Sequence, residues 1–333
     1  MNISVIIPIY KVEPYIERCI RSIMNQTFTD GVECILVNDC TPDNSMKIAE
    51  GLIKNYKGGI QFKIVTHEHN RGIAAVRNTG LEIAQGTYIQ YVDGDDYTEP
   101  NMLEELYKEA IKTSADIVGC EYYFDWGNHK TIDKQFHFKP SPEYNLQELM
   151  NCHYTAKLWR RLIRKNLFTD NRLTFVESVD IGEDFLLASQ LHYYASKVAF
   201  VAIPLYNYVQ YNSSSLVHST NIVSLENSIR VCHIVEQFLL EKGIYEKYKI
   251  GFLKRCFLCK SGLIGNSSIR NYKYWKTIYP ESHQYIHLYG FTWKQLLMWR
   301  IVLLMPPSIF MFIADIYDIV KYQIVYKKKM NRK

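Results

Sequence analysis

Apolar residues along this chain alternate between two textures. Some form short unbroken runs; others recur every three or four positions. Ile3–Ile9 is a near-continuous apolar run, as in a strand buried on both faces. Ile16, Cys19, Ile20, Ile23 and Met24 then follow helical spacing, and Pro14 stands where a first helical turn tolerates proline. Val32–Val37, Phe62–Val65 and Thr87–Val92 read as further strands, and Met46–Tyr56, Gly72–Ala84 and Pro100–Lys112 as further helices. This alternation predicts an α/β fold: a mostly parallel central sheet flanked by helices, with right-handed crossovers. Ligands of such sheets bind at the carboxyl ends of the strands. Asn38 and Asp39, His67–Arg71 and Asp93–Asp96 all fall at those ends and are expected to converge.

The middle of the chain is less regular. Ile117–Tyr123 and Thr131–Phe138 read as strands, Lys157–Lys165 and Glu183–Tyr194 as helices, and Lys197–Tyr211 as one or two strands. After Asn221 the pattern turns helical, over Ile222–Leu240 and Tyr245–Ile264. The expected organisation is a first domain over 1–220, with a nucleotide-binding half at 1–115 and an acceptor-binding half at 116–220. A helical extension over 221–285 and amphipathic helices over 286–333 follow. Ile301–Ala314 carries no charge and contains Pro306 and Pro307. It is too short to cross a bilayer as a helix, which takes about 20 residues. Trp293, Trp299 and Phe310 flank or enter it, and a basic tail follows. The expectation is an interfacial anchor with its apolar face in the bilayer surface and its cations on anionic headgroups. The alternative is a buried helical hairpin with a solvated tail.

Charge sharpens this division. The 333 residues carry a net charge of +5, and Lys321, Lys327, Lys328, Lys329, Arg332 and Lys333 account for the whole excess. The body is near neutral and gives no reason to expect a nucleic-acid groove. Eight cysteines are scattered, several in apolar runs, as buried free thiols are. Cys256 and Cys259 form a lone Cys-x-x-Cys without a second pair, so no zinc site is expected. The N-terminus lacks the basic segment of a signal peptide, and a reducing cytosolic setting is expected.

The run Tyr88–Asp96 carries the most chemistry. An apolar strand ends in Asp93, Asp95 and Asp96. In an extended chain Asp93 and Asp95 share a face. Paired carboxylates make a hard-oxygen site for Mg²⁺ or Mn²⁺, which keeps positions open for substrate phosphates. Asp-Gly-Asp-Asp is also good turn chemistry, so a solvated turn is the plain alternative. No Gly-x-Gly-x-x-Gly follows the first strand and no Gly-x-x-x-x-Gly-Lys-Ser/Thr occurs, so the usual phosphate cradles are absent.

Ser4–Tyr10, Leu36–Asp43, Asn70–Asn78 and Asp93–Asp96 together resemble, in order and spacing, the family 2 glycosyltransferases of the GT-A fold. The resemblance covers roughly residues 3–110, weakens to about 215, and stops there. It implies that Asp39 accepts a hydrogen bond from the uracil of a UDP-sugar and that Pro8 and Tyr10 flank the base. Arg77 would lie near the diphosphate or hold the acidic cluster. Asp93 would contact the ribose, Asp95 the metal, and Asp96 the site or the donor sugar. Glu183 and Asp184 match the family's Glu-Asp pair, with Asp184 as the general base that in-line attack requires. Without the resemblance the pair reads as acidic residues favoured at a helix start. Lys157 and Trp159 match a segment near the acceptor, where Trp159 would stack on a sugar. His218 corresponds to a histidine that completes the metal shell in some relatives, against a plain surface-loop reading.

The expectation is therefore an inverting transferase that uses a divalent metal and a nucleotide-sugar, with UDP as the expected nucleotide. Its acceptor would be a saccharide or lipid-linked saccharide of a bacterial surface glycan. Its place would be the cytoplasmic face of the cell membrane, held there by the C-terminus. Two rivals stand beside it: a nucleotidyltransferase that makes the sugar nucleotide, and a membrane-bound scaffold of degenerate fold. The donor sugar, the acceptor and the oligomeric state are not legible.

Overall fold

The computed structural model describes residues 1–133, 138–179, 181–212 and 222–316. The chain divides into two compact units, one of Met1–Leu149 with His153–Ser219, the other of Met150–Cys152 with Thr220–Lys333.

The first unit is built on one sheet. Its opening strands and helices are β1 (Ile3–Ile9), α1 (Ile16–Met24), β2 (Val32–Asn38), α2 (Ser45–Asn55), β3 (Gln61–Thr66), α3 (Ile73–Ile83) and β4 (Tyr88–Tyr91). All seven residues of β1 are buried, because β2 and β4 flank it on either side. β3, β2, β1 and β4 run parallel, as the alternation of elements requires. Beyond β4 the sheet becomes mixed. The next elements are β5 (Tyr97–Thr98), α4 (Met102–Thr113), β6 (Ile117–Asp125), β7 (Lys130–Asp133) and α5 (Pro142–Met150). Then come β8 (Arg161–Arg164), α6 (Lys165–Asn171), α7 (Glu183–Tyr194) and β9 (Val198–Val209). The strand order is β3-β2-β1-β4-β8-β6-β9-β5, with β7 pairing to β6.

One expected helix is not there. Lys157–Lys165 forms a single 3₁₀ turn, Leu158–Arg160, and then β8. β8 fills the slot between β4 and β6 and is antiparallel to both. The buried Gln90 side chain donates to the Trp159 carbonyl at 2.6 Å and fixes the entry to that strand. Sheet pairing outweighs local spacing here. Lys197–Tyr211 resolves into the single long strand β9. The expected strand Thr131–Phe138 is seen as β7, and residues 134–137 lie outside the described residues.

In the second unit α8 (Ile222–Glu241) and α9 (Tyr245–Lys260) pack together, and a 3₁₀ segment, Pro280–Leu288, lies on α9. Two short helices, α10 (Gly262–Gly265) and α11 (Tyr272–Thr277), connect them to α12 (Trp293–Leu304). Thr292 and Gln295 form a reciprocal cap at the start of α12. No residue of α12 is buried. Residues 307–316 continue as helix beyond Pro306. Tyr272 stacks on Phe310 at 4.5 Å and its hydroxyl donates to the Met305 carbonyl at 2.9 Å, so one side of this pair is held against the unit.

Candidate functional site

β1 is hydrogen-bonded to both β2 and β4, so the carboxyl ends of these three strands lie side by side. Tyr10 and Asp39 follow those ends directly, and Asp93 follows β4 after Val92.

β4 stops at Tyr91, so strand alternation does not orient Asp93 and Asp95. A turn does it instead, closed by the Asp96 N–H donating to the Asp93 carbonyl at 3.0 Å. The turn and site readings of this segment are therefore compatible. Gly94 is required within it, since a Cβ there would sit 2.7 Å from the Pro8 carbonyl oxygen. Tyr206, on β9, ties the turn down. Its hydroxyl donates to Asp96 Oδ2 at 2.8 Å and accepts from the Asp93 N–H at 3.1 Å. The Val209 N–H fills the other Asp96 oxygen at 2.8 Å. Asp95 receives Asn212 Nδ2 at 2.8 Å. Burial first, then the neighbouring aspartates, push the carboxyls of Asp95 and Asp96 up.

Arg77, on α3, is the electrostatic centre. Its guanidinium is buried against Phe175 and Tyr91. Nη2 reaches Asp93 at 3.1 Å, while Nη1 reaches Glu183 at 2.8 Å and Asp184 at 3.0 Å. One cation thus joins the turn after β4 to the first turn of α7, ninety positions on from Asp93 to Glu183. Arg77 thus contacts the acidic cluster directly. Burial disfavours its charge, but Asp184, Asp93 and Glu183 more than offset this, and its pKa is raised. Three carboxylates share this one guanidinium. Glu183 is lifted to about 8, by burial and then by the charge of Asp184. Asp184 is raised by burial against the pull of Arg77. Its second oxygen accepts the Leu158 N–H at 3.2 Å.

Asp39 has a different place from the one expected. Oδ1 accepts from His67 Nδ1 at 2.7 Å and the Arg71 N–H at 2.9 Å. Oδ2 accepts from Asn70 Nδ2 and the Gly72 N–H, each at 2.9 Å. A carboxylate has about four acceptor sites, and neighbouring donors fill them in this structure. Asp39 ties the loop before α3. Gly72 meets it with φ at +85°, backbone that glycine adopts without strain.

Trp159 is also corrected. It is 3% exposed and stacks on Tyr206 at 4.2 Å, so it is a core ring and not a sugar platform. Lys157 is half-buried above Tyr208, at 4.0 Å from its ring centre. Pro8 is buried and Tyr10 is 39% exposed beside it. His218 lies outside the described residues. Sequence reasoning put His67 at a strand end without a specific role, and assigned none to Tyr206 or Asn212. Strand register and loop closure bring in Tyr206 and Asn212, and neither leaves a local signal.

The family model described as Glycosyl transferase family 2 matches residues 4–180. The uncharacterized glycosyltransferase EpsJ of Bacillus subtilis is 34% identical over 257 residues, which is 74% of this chain and 70% of that protein. The poly(ribitol-phosphate) beta-glucosyltransferase of Bacillus spizizenii is 27% identical over 63% of this chain, which spans 32% of that longer protein. Among solved structures, S. aureus TarS 1–349 in complex with UDP-GlcNAc aligns with a TM-score of 0.70 at 21% identity, covering 86% of this chain and 82% of that one. That likeness establishes the GT-A fold for the mixed sheet and its flanking helices.

Proposed function

The chain belongs to glycosyl transferase family 2, and on that premise we propose that it is an inverting, metal-dependent transferase. It moves a sugar from a UDP-sugar to a hydroxyl of a saccharide or lipid-linked saccharide in a bacterial surface polymer. The observation that carries this reading is the Arg77 hub, which joins Asp93 at the nucleotide end of the sheet to Asp184. Donor and acceptor chemistry are thereby held in one rigid arrangement.

Asp184 takes the proton from the attacking hydroxyl. Arg77 and the Leu158 N–H fix one bond to each of its oxygens, leaving lone pairs for the substrate. Glu183, lifted to about 8, holds a proton at neutral pH and leaves Asp184 as the ionised member of the pair. Asp93 meets the ribose. Asp39 serves the base indirectly, by shaping the loop that faces it together with Tyr10 and Pro8.

A divalent cation, Mn²⁺ or Mg²⁺, fits the turn. Asp93 and Asp95 offer hard oxygens, and the charge of Asp95 is disfavoured by burial and by Asp93, a penalty that a cation offsets. Among the described residues no three acidic, histidine or cysteine side chains form a closed metal cage. When bound, the ion would neutralise the diphosphate and stabilise departing UDP.

In this reading the second unit attaches the enzyme to the inner face of the cell membrane, and its exposed apolar side chains support that. Trp293, Leu297, Met298, Ile301 and Leu304 on α12 are exposed, as are Ile309, Phe312, Ile313 and Ile316 on the following helix. No helix among the described residues is long and apolar enough to cross a membrane, so the contact is a surface one. The basic residues that would meet anionic headgroups lie beyond residue 316. In flotation with phosphatidylglycerol vesicles, Leu297→Ser/Leu304→Ser should release the protein; unchanged flotation refutes the anchor.

Thermal melting with UDP, GDP, CDP, TDP and ATP, with and without Mn²⁺, tests the transferase. UDP with Mn²⁺ should raise the Tm by mass action, and Asp95→Ala should abolish the shift. No shift with any nucleotide sinks the reading. Asp184→Asn should bind donor and lose transfer; near-full transfer would remove its assignment as base.

A further inference from the structure

A row of aromatic rings leads away from the acidic cluster, and nothing above gives it work. Phe124 and Trp126 stand two positions apart at the end of β6, and their rings stack at 6.2 Å and 29°. Tyr208 on β9 lies opposite Phe124 in register, with ring centres 6.0 Å apart. His129, across the hairpin turn, stacks on Trp126 in its turn at 6.2 Å and 16°. The inner end of the row adjoins the site: Val209, the residue after Tyr208, gives its N–H to Asp96. Tyr208 is pushed up to about 12 by burial and then by the charges of Asp96 and Asp93. The outer end is open, with Trp126 45% exposed.

Lys157 lies across this row. Its ammonium is 4.0 Å from the ring centre of Tyr208, 4.7 Å from Tyr122, 4.9 Å from Phe124 and 5.1 Å from Trp159. Its one hydrogen bond among the described residues goes to Tyr122 Oη at 3.3 Å. An ammonium has three donors, and ring faces steady its charge without taking up those donors fully. The next residue, Leu158, gives its N–H to Asp184. The lysine and the rings therefore begin one residue from the anchor of the base and run outward.

We propose that this row seats the acceptor. A saccharide chain runs along the row, an outer ring laying a C–H face on the exposed Trp126 and an inner ring reaching Lys157, which lies over Tyr208 and Phe124. Lys157 donates to oxygens of the sugar whose hydroxyl meets Asp184. The inference rests on the transferase reading and adds to it the acceptor class: an oligosaccharide, not a single small alcohol. The chemistry favours a sugar because a pyranose has an apolar face and an oxygen-rich rim. Flat rings beside a partly desolvated donor match both. A wholly apolar occupant would bury the donors of Lys157 without partners.

The test titrates tryptophan emission with four soluble probes, in UDP and Mn²⁺: maltotriose, cellotriose, chitotriose and a hyaluronan tetrasaccharide. At least one should give a saturable change. Binding should be about tenfold weaker in Trp126→Ala and in Lys157→Met, on the scale of one ring contact or one charged donor. Trp293→Ala, in the second unit, should bind as wild type does. The charged groups around Lys157 are Asp133, Asp96, Asp184 and Arg160, and burial lowers the lysine to about 8. The hydroxyls of Tyr122 and Tyr208 are pushed up and stay protonated through that range. Probe binding should accordingly weaken more steeply as pH rises through about 8 in wild type than in Lys157→Met, where Glu183 still titrates in that range. Silence from all four probes overturns the proposal, as does a Trp126→Ala protein that binds as tightly as wild type. The UDP–Mn²⁺ melting shift separates the two readings. If Trp126→Ala keeps it, a failed acceptor seat leaves the donor site standing; if wild type lacks it, the transferase reading falls and the seat with it.

Discussion

Glu183→Gln should make the protein more stable in mild alkali, although it removes an ion-pair partner of a buried arginine. The Glu183 side chain is 11% exposed and shares Arg77 with Asp184 and Asp93. Its carboxyl is lifted from 4.5 to about 8, by burial first and the Asp184 charge second, against the pull of Arg77. A group whose folded pKa lies above its unfolded value stabilises the fold below the unfolded value. It loses that contribution as pH rises to the folded one. The window here is 4.5 to about 8, within which the folded protein binds a proton that the unfolded chain does not. Through this group stability falls by about 1.4 kcal/mol per pH unit. The charge of Asp184 sets part of this shift, so the part belonging to Glu183 is about 2–5 kcal/mol over the whole window. Glutamine copies the protonated acid in size and keeps an oxygen for Arg77. The variant should equal wild type near pH 5 and exceed it by about 2–5 kcal/mol near pH 8.5. Urea unfolding in EDTA across that range measures the difference. A gap between the two proteins that does not change with pH would show that Glu183 carries no proton in the fold, and the division of labour with Asp184 would fall with it.

Arg77→Met leaves three clustered carboxylates without their cation and should cost about 3–5 kcal/mol of stability by urea unfolding. Arg77→Lys should not rescue it, because one ammonium cannot replace the two-nitrogen grip on Asp93 and the Glu183–Asp184 pair. Trp159→Ala should cost about 3–5 kcal/mol as a core truncation, whereas Trp126→Ala should stay within about 0.5 kcal/mol; equal losses would contradict the placement of the two rings. Gly94→Ala should cost about 1–3 kcal/mol and weaken the UDP–Mn²⁺ melting shift, since the added methyl meets the Pro8 carbonyl at 2.7 Å.

Where the chain forms its own pattern, sequence and structure agree closely. β1, α3, α7 and α8 begin and end within two residues of where apolar spacing puts them, because burial on a fixed face leaves a period in the residues themselves. α5 also carries a local start signal: Ser141 caps it, with its hydroxyl accepting the Tyr144 N–H at 3.2 Å, and Pro142 opens it. β8 was not legible, since four residues carry too little period to outweigh a neighbouring helical spacing.

The sequence by itself determined the family, the parallel half of the sheet, and which strand ends carry acids. Those features are local: apolar runs, turn residues and motif spacing within about a hundred residues. Only the tertiary structure decided what the acids do to one another. Arg77 binding Asp93, Glu183 and Asp184, Tyr206 bridging to Asp96, and the closure of all four oxygen sites of Asp39 each join residues distant in sequence or loop. The same holds for the two tryptophans, one buried under Tyr206 and one open at the end of β6. A hydrogen bond or a desolvated charge depends on the distance between two groups. A linear pattern of residue types records which groups exist and not which of them meet.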